Sequence, residues 1–266
     1  MENRVRFRGS MTPPLLDPDE PQPATLVNET GASVFFLTCD HGGRAIPRRL
    51  ERLGLAEPDT CRHIAWDIGI AEVGQRLSAA LDAALIAQTY SRLVIDCNRD
   101  PSAPSSIAEI SEDTEIPGNR NLSEANRAAR RDAIFRPYQD GIAAALDRRS
   151  AEGRASVLIA LHSFTPVFRR VPRPWHVGVL FNRDARLPHP LLELLRAEGD
   201  LTVGENEPYR VTDLTDFTVP VHGERRGLPH VEIEIRQDLI AEPAGQAAWG
   251  ERLARLLPDA YSKLRR

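Results

Sequence analysis

Short, continuous apolar runs separated by amphipathic stretches are the feature that most constrains this chain. Runs such as ASVFFLTC and SVLIALHSF have the length of strands and are rich in β-branched and aromatic residues, so they predict strands that are buried on both faces. Between them, apolar residues recur at spacings of three and four, as in amphipathic helices. We therefore predict an α/β fold, a single domain with a mixed, mostly parallel central sheet and helices on both faces.

The predicted elements cover most of the chain. The predicted strands are 32–39, 84–90, 92–97, 156–164, 176–181, a short stretch within 201–209, and 230–236. The predicted helices are 67–84, 123–149, 188–198 and 243–264. Residues 101–122 are rich in Pro, Ser, Asn and acids without periodicity, which predicts a long loop. Residues 1–24 are polar and proline-rich and predict a loose arm, which leaves 25–266 as the folded domain.

Charge and composition exclude several classes of protein. The net charge is −4 and the arginines are scattered, so nothing in the charge pattern favours a nucleic-acid partner. No apolar stretch approaches the roughly 20 residues that span a bilayer, and the charged start of the chain lacks the apolar segment of a secretory signal. We therefore expect a cytoplasmic protein without a membrane partner. The three cysteines are too few for a disulfide framework.

Two histidines stand at equivalent places, each at the end of a predicted strand. His41 follows the first strand, where Gly42 and Gly43 permit a tight turn, and His162 lies near the end of the strand 156–164. Neutral imidazole is a common zinc ligand, so this placement suggests a metal site. The alternative is that the two histidines are unrelated, one a turn residue and the other a satisfied core residue.

A catalytic zinc usually has a third protein ligand, and the pattern leaves its identity open among Asp40, Asp67 and Asp96. Asp67 stands at the start of a predicted helix, where it could serve the metal or simply cap the helix.

The strand 230–236 carries charges on one of its faces. Strand periodicity places Glu232, Glu234 and Arg236 on one side and three apolar residues on the other. Such a face is either solvated or part of a site, and in a site Glu234 would act as the general acid and base beside a metal-activated water.

The stretch SRLVIDCNRDP surrounds an apolar run with charges. Ligands of open α/β sheets bind beyond the carboxyl ends of the strands, so Arg92, Asn98 and Arg99 could hold a substrate carboxylate. The alternative is that the arginines form structural ion pairs with Asp96 or Asp100.

Taken in chain order, these motifs resemble the N-formylglutamate amidohydrolase family, over residues of about 33 to 265. The segments that carry the resemblance are CDHGGRAIP, AWDIGIAEVGQRL, YSRLVIDCNRDP, LHSFTP, ENEPY and GLPHVEIEIRQDLI. That family is related to the zinc carboxypeptidases and the succinylglutamate desuccinylases, which share a mixed sheet between helices. The resemblance implies a zinc amidohydrolase with one metal ion that removes an N-acyl group from an amino acid.

The resemblance also implies roles for individual residues. His41 and His162 correspond to metal ligands, Glu234 to the catalytic glutamate, and the pair Asn98 and Arg99 to residues that hold a substrate carboxylate. Arg92 corresponds to an upstream catalytic arginine.

The chain departs from the zinc carboxypeptidases at Arg44, where those enzymes have a ligand glutamate, and we therefore assign the third ligand to Asp67. A second departure, CDHGG in place of Pro-His-Ser-Gly, leaves the exact substrate open.

We thus expect hydrolysis of a small anionic N-acyl amino acid such as N-formylglutamate. Tyr209, His222 and Arg236 are expected to complete the substrate site. The alternatives are a carboxypeptidase-like or other amidase acting on a larger substrate, and a non-catalytic protein that binds small anions.

Overall fold

A central sheet of seven strands organises the part of the chain that the structure, a computed structural model, describes, which is residues 14–264. The strands are β1 Ala24–Val27, β2 Phe35–Cys39, β3 Ala84–Gln88, β4 Val157–Phe164, β5 Val177–Leu180, β6 Val203–Glu205 and β7 His230–Arg236. Their order across the sheet is β1-β3-β2-β4-β7-β5-β6.

The sheet is mixed and mostly parallel, as predicted. The neighbours β3, β2, β4 and β7 run parallel, and β5 and β6 run parallel to each other. Only the pairs β1–β3 and β5–β7 are antiparallel. Because β2 and β4 are adjacent and parallel, their carboxyl ends lie side by side. The two predicted strand-end histidines therefore reach the same edge of the sheet.

Within residues 14–264, four helices of ten residues or more cover the sheet. They are α1 Ile70–Leu81, α2 Arg136–Ala151, α3 Pro188–Ala197 and α4 Pro243–Leu264. Shorter pieces are the helices Glu57–Thr60 and Glu124–Arg130, the π-helical segments Arg131–Phe135 and Val219–Glu224, and the 3-10 segments Arg48–Gly54, Pro104–Ile107, Pro117–Asn119 and Gln237–Leu239. Two small hairpins pair Ile110–Ser111 with Thr114–Glu115 and Val167–Phe168 with Val171–Pro172.

Strand alternation separates two layers of the core. In β2, Leu37 packs on the side of α1, α3 and α4, whereas Phe36 packs on the side of α2. In β7, Ile233 and its apolar neighbours pack into the first layer, which leaves Glu232 and Glu234 on the other face. Helices therefore cover both faces of the sheet, and this confirms the predicted fold class.

The predicted strand at 92–97 is wrong, because this segment is a turn followed by irregular chain. Its apolar residues are buried, but they fill the core layer next to α2 instead of joining the sheet. The carbonyl oxygens that a strand would offer to a neighbour accept side-chain donors instead. Asn119 donates to Leu93 O, and Arg130 donates to Val94 O. A short apolar run does not by itself distinguish these two kinds of burial.

The described part of the predicted loose arm, residues 14–24, contacts the domain. The Tyr90 hydroxyl donates to Pro21 O at 2.8 Å, and Arg49 forms an ion pair with Asp17 at 2.9 Å. Ala24 already belongs to β1. The rest of the arm, residues 1–13, lies outside the described residues.

Asn119 holds the irregular segment in place, and its removal tests this account. Its amide donates to Leu93 O and Ala108 O and accepts from Arg130, all in the interior. Asn119→Ala leaves these buried groups without partners, so we expect the free energy of unfolding to fall by about 1–3 kcal/mol in urea titrations. The control Asn126→Ala, on the exposed surface of a helix, should change it by less than about 0.5 kcal/mol. Equal effects would show that Asn119 does not anchor the segment.

Candidate active site

Two histidines and one aspartate converge at the carboxyl ends of β2 and β4. Asp67 Oδ2 lies 3.4 Å from His41 Nδ1 and 3.0 Å from His162 Nδ1. The ligand atoms of the three residues all lie within 4.8 Å of one another, and all three side chains are buried. The structure thus brings together the three residues that the sequence proposed as metal ligands.

The side chain of Asp67 serves this cluster and does not cap a helix. The helix α1 begins three residues later, at Ile70, and its N-terminal flank is Gly69 in the left-handed region, at φ 78°. The backbone amide of Asp67 donates to His41 O at 2.9 Å, and Asp67 Oδ2 accepts from the amide of Ser163 at 3.2 Å. Main-chain hydrogen bonds therefore hold Asp67 between the two histidines.

Gly43 makes the turn after β2 possible. A Cβ atom at this position would collide with the carbonyl oxygen of Thr89, so the expected close backbone approach is present. β2 ends at Cys39, and His41, which lies between the strand and this turn, accepts the amide of Asp67 at its carbonyl oxygen.

A second carboxylate holds the far nitrogen of each histidine. His41 Nε2 lies 2.7 Å from Asp96 Oδ1, and His162 Nε2 lies 3.2 Å from Asp40 Oδ2. A carboxylate on one ring nitrogen fixes the orientation of an imidazole and raises the basicity of its other nitrogen, an arrangement common around protein-bound metals. The sequence left three aspartates as candidates for the third ligand. Asp67 lies at the Nδ1 atoms of both histidines, whereas Asp96 and Asp40 bond their Nε2 atoms.

The charges of the cluster compensate one another. Burial alone would lower the pKa of His162, but Glu232, Asp40 and Asp67 outweigh it and raise that pKa well above its usual value. Burial alone would raise the pKa of Asp96, but Arg92 and His41 hold it well below its usual value. Without a metal the histidines therefore favour their protonated forms, and a divalent cation would replace those protons.

This donor set fits zinc. Two imidazole nitrogens and one carboxylate oxygen are a known ligand set of catalytic zinc sites, which keep one further position open. Each imidazole already has the carboxylate support that such ligands usually have. His41, Asp67 and His162 would hold the ion through Nδ1, a carboxylate oxygen and Nδ1.

Glu234 and Glu232 extend from β7 into the same pocket. Glu234 stands in register with His162 on the neighbouring strand β4. Both glutamates are buried, and in each Oε2 has no hydrogen-bond partner among the described residues. Burial raises the pKa of Glu234 to about 7 and that of Glu232 well above its usual value. A buried carboxyl group with a pKa near neutrality can both accept and return a proton.

The residues of the irregular segment line one wall of the pocket. Arg92 contacts Asp96 at 2.7 Å and Asp67 at 3.5 Å, and Arg99 Nε lies 3.5 Å from Asp96. The ion pairs with Asp96 that the sequence offered as an alternative are therefore present. Both arginines nevertheless line the cavity, with about a quarter of each side chain exposed (27% and 29%).

Asn98 lines the cavity, as expected of a substrate-binding residue, and its side chain also bonds the protein. Its side-chain oxygen accepts from the backbone amides of Phe217 and Thr218, both at 3.0 Å, and its side-chain nitrogen donates to Asp216 at 3.4 Å. Asn98 therefore fixes the loop that forms the opposite wall, because its amide is engaged there.

Tyr209 lines the pocket, whereas His222 and Arg236 do not. His222 is buried behind the wall, where its Nε2 bonds Gln139 at 2.7 Å. Arg236, at the end of β7, pairs with Asp238 at 2.8 Å and donates to backbone carbonyls of residues 173–175. The strand periodicity placed Arg236 on the correct face but could not show that the pocket ends before it.

Sequence reasoning missed the residues that hold the supporting carboxylate of Asp40. Tyr138 and Thr218 each donate a hydroxyl to Asp40 Oδ1 at 2.7 Å. They lie on a helix and in a loop that are distant in sequence, so no local motif connects them with Asp40. The position of Asp40 between a buried strand and His41 was the available signal.

The cavity around these side chains has a volume of about 560 Å³. Its walls come from the irregular segment, the hairpin at 110–115, the end of β4 and the loop 209–216. It lies beyond the carboxyl ends of the parallel strands, where open α/β sheets bind ligands.

The family model described as N-formylglutamate amidohydrolase matches residues 33–241. The chain belongs to this family. It is therefore an amidohydrolase, an enzyme that hydrolyses amides. The cluster at the ends of β2 and β4 is the candidate active site of this member of the N-formylglutamate amidohydrolase family.

Two solved structures resemble this family member over most of its length. A gene product of Agrobacterium tumefaciens is 38% identical, with a TM-score of 0.91 over 95% of this chain and 100% of that one. The N-formylglutamate amidohydrolase from Ralstonia eutropha is 22% identical, with a TM-score of 0.67 over 92% of this chain and 99% of that one, and shows that the fold is shared. A comparison with curated proteins gives no match.

Among the described residues, none of the helices combines the length and the apolar character that crossing a bilayer requires.

The metal site can be tested by counting bound zinc. We expect the purified protein to bind about one zinc ion per chain, and His162→Ala or Asp67→Asn to lose most of it, because each removes one of three ligands. The matched control is His189→Ala, whose imidazole is largely exposed and lies outside the cluster. Metal analysis after dialysis is the measurement. Full zinc occupancy in a His41→Ala, His162→Ala double variant would exclude this site.

Proposed function

We propose that the chain is a zinc-dependent amidohydrolase that removes an N-acyl group, in particular a formyl group, from an amino acid such as N-formylglutamate. The observation that carries this proposal is the Asp67 carboxylate between two histidine Nδ1 atoms, in the same pocket as a carboxyl oxygen of Glu234 that has no hydrogen-bond partner among residues 14–264. The family supports the amide as the bond that is cleaved, and the related enzyme from Ralstonia eutropha bears the name of this substrate.

The metal ion and the protein would contribute different parts of the proposed amide hydrolysis. His41, Asp67 and His162 would hold a zinc ion, which would supply a Lewis acid that lowers the pKa of water and polarises a carbonyl group. The protein holds the two histidines through Asp96 and Asp40, and it holds Asp67 through the amide of Ser163. All five of these side chains are buried and have little contact with bulk water.

Glu234 moves the proton. Its carboxyl group accepts a proton from the attacking water and delivers it to the amine that leaves, so the group ends in its starting state. The pKa of about 7, which burial produces, keeps both forms accessible. Glu232, on the same face of β7, is the nearest alternative for this role.

Arg92 stabilises the negative charge that develops on the carbonyl oxygen. It already stands between Asp67 and Asp96, so its guanidinium is fixed at the edge of the cluster before the substrate binds. A donor that is positioned in advance is the most effective kind for a developing charge.

Arg99 binds the carboxylate of the amino acid. Its contact with Asp96 is through Nε, at 3.5 Å, and the side chain lines the cavity, where a guanidinium can bind a carboxylate by a paired contact. Asn98 bonds the loop that forms part of the pocket wall, and Tyr209 also lines the pocket.

Substitution of Glu234 tests the proposed proton transfer. Glu234→Gln keeps the shape of the side chain and removes the titrating group, so we expect kcat for N-formylglutamate to fall by a factor of about 10²–10⁴. Bound zinc should remain at the wild-type level, because Glu234 is not a ligand.

The matched control is Glu251→Gln on the exposed side of α4, which should keep normal kcat. Near-normal turnover in Glu234→Gln would remove this residue from the mechanism, and Glu232→Gln would then be the next variant to assay.

A further inference from the structure

Three aromatic side chains form part of the cavity wall. They are Phe164, Phe168 and Tyr209, and all three line the pocket. Phe164 ends β4, Phe168 belongs to the hairpin of Val167–Phe168 with Val171–Pro172, and Tyr209 lies in the loop that follows β6. We call these three residues the aromatic wall. None of them takes part in the proposed metal binding or proton transfer, so the wall has another role.

The side chain of Arg173 joins the three rings. Its guanidinium lies 5.8 Å from the ring centre of Phe164, 4.7 Å from that of Phe168 and 4.6 Å from that of Tyr209. It also donates to the Tyr209 hydroxyl at 2.7 Å. Arg173 is only 8% exposed, and a cation in such a place is stabilised by the faces of aromatic rings. One buried arginine thus connects rings from three separate segments into a single surface.

The hairpin that carries Phe168 is anchored at its base. The amide of Arg173 donates to Pro166 O at 2.8 Å, which closes the hairpin. Arg236, at the end of β7, donates to the carbonyl oxygens of residues 173–175. Arg236 was expected to bind substrate, and it supports the backbone behind the aromatic wall instead.

The aromatic wall begins next to the metal cluster. Phe164 follows His162 by two residues, so both side chains lie on the same face of β4, about 6–7 Å apart along the strand. The amino-acid part of a substrate whose scissile carbonyl lies at the cluster can therefore reach the wall.

The size and the charge of the cavity both leave room for an apolar group. Its volume of about 560 Å³ is in the range of pockets that hold drug-sized ligands, so an amino acid with a large side chain fits. Six of the lining residues carry a carboxyl group and three carry a guanidinium. Two of those arginines, Arg92 and Arg99, already contact Asp96. The lining therefore has no excess of arginine that would select a second anionic group on the substrate.

Exposed apolar side chains also concentrate around the pocket. Among residues 14–264, six large apolar side chains are exposed, and five of them belong to the two small hairpins and the loop 209–216 that border the cavity. These five are Ile110, Val167, Val171, Tyr209 and Leu214. Exposed apolar side chains that cluster in this way are typical of a ligand-binding surface.

We propose that the aromatic wall binds an aromatic or large apolar side chain of the substrate, so that the enzyme hydrolyses N-formyl amino acids of this class, such as N-formylphenylalanine. This rests on the proposed function and extends it beyond N-formylglutamate. Arg99 binds the carboxylate of the amino-acid backbone, and the wall packs against the side chain, since aromatic rings stack favourably on one another. Phe168 and Tyr209 are then residues that determine specificity.

Two substrates that differ only by a phenyl ring test this assignment. N-formylphenylalanine and N-formylalanine share the formyl group and the backbone carboxylate. We expect kcat/KM of the zinc-loaded wild-type enzyme to be higher for N-formylphenylalanine by a factor on the order of 10 or more. Phe168→Ala removes one ring of the wall, so it should lower the ratio of the two kcat/KM values by a factor of about 5 or more. Because both substrates are measured in the same variant, general damage to the enzyme cancels in this ratio.

Val171→Ala is the matched control, since it truncates an exposed apolar side chain of the same hairpin that does not line the cavity. It should leave the ratio unchanged. The assignment is overturned if the wild-type enzyme hydrolyses N-formylglutamate but shows no preference for N-formylphenylalanine over N-formylalanine. It is also overturned if Phe168→Ala leaves the ratio unchanged, or if Val171→Ala lowers it equally.

Failure of the proposed function would give a different result, namely no hydrolysis of any N-formyl amino acid by the zinc-loaded wild-type protein. The aromatic wall can then still be tested by calorimetric titration with 3-phenylpropionate and propionate, which share a carboxylate and differ by the phenyl ring. Tighter binding of 3-phenylpropionate that disappears in Phe168→Ala supports the wall as a binding surface. Equal binding of the two compounds by the wild-type protein, or a difference that persists in Phe168→Ala, contradicts it.

Discussion

The carboxylate of Asp67 is the interaction on which the rest of the site depends. One oxygen, Oδ2, is shared by His41 and His162 and also accepts from the amide of Ser163. These contacts connect the turn after β2, the start of α1 and the end of β4. The parallel pairing of β2 with β4 brings the two histidines to one edge, and Asp67 then sets the position of both rings.

Burying this carboxylate requires compensation, and the surrounding residues supply it. Asp40, Asp67 and Asp96 are all buried, and an isolated buried carboxylate is very unfavourable. Two histidines, whose pKa values are raised, and Arg92 provide the opposite charge. A zinc ion would contribute a larger positive charge at the same place. The same excess of negative charge that favours protons on the histidines therefore favours a divalent cation at their Nδ1 atoms, and zinc affinity should weaken at low pH as protons compete.

The sequence predicted the parts of the fold and site that local periodicity encodes. Continuous apolar runs identified the central strands, and the residues just past their ends included His41 and His162. Period-two alternation in β7 placed Glu234 on the face opposite the core layer of Ile233. Each of these predictions used only local sequence patterns: where an apolar run ends, and the alternation of side chains between the two faces of a strand.

Contacts between segments distant in sequence were beyond such reasoning. The run at 92–97 has strand composition, but Asn119 and Arg130 take its carbonyl groups, and neither residue is signalled by the run itself. The role of Asp40 depends on Tyr138 and Thr218, which tertiary structure alone brings to it.

The boundary of the pocket is also set by tertiary contacts, which local sequence patterns do not encode. For this reason two residues that were expected to bind substrate lie outside the pocket. His222 is behind the wall, and Arg236 is one step beyond the cavity.

The central claim is that one metal ion, held through Asp67 and the two histidines, drives amide hydrolysis at this site. The most direct test is to titrate metal-free protein with zinc while measuring bound metal and the rate of N-formylglutamate hydrolysis in the same samples. The account predicts that both rise together and level off at about one zinc per chain, and that Asp67→Asn abolishes both responses. Hydrolysis at the full rate in the metal-free protein, or activation by zinc that persists in Asp67→Asn, would contradict it.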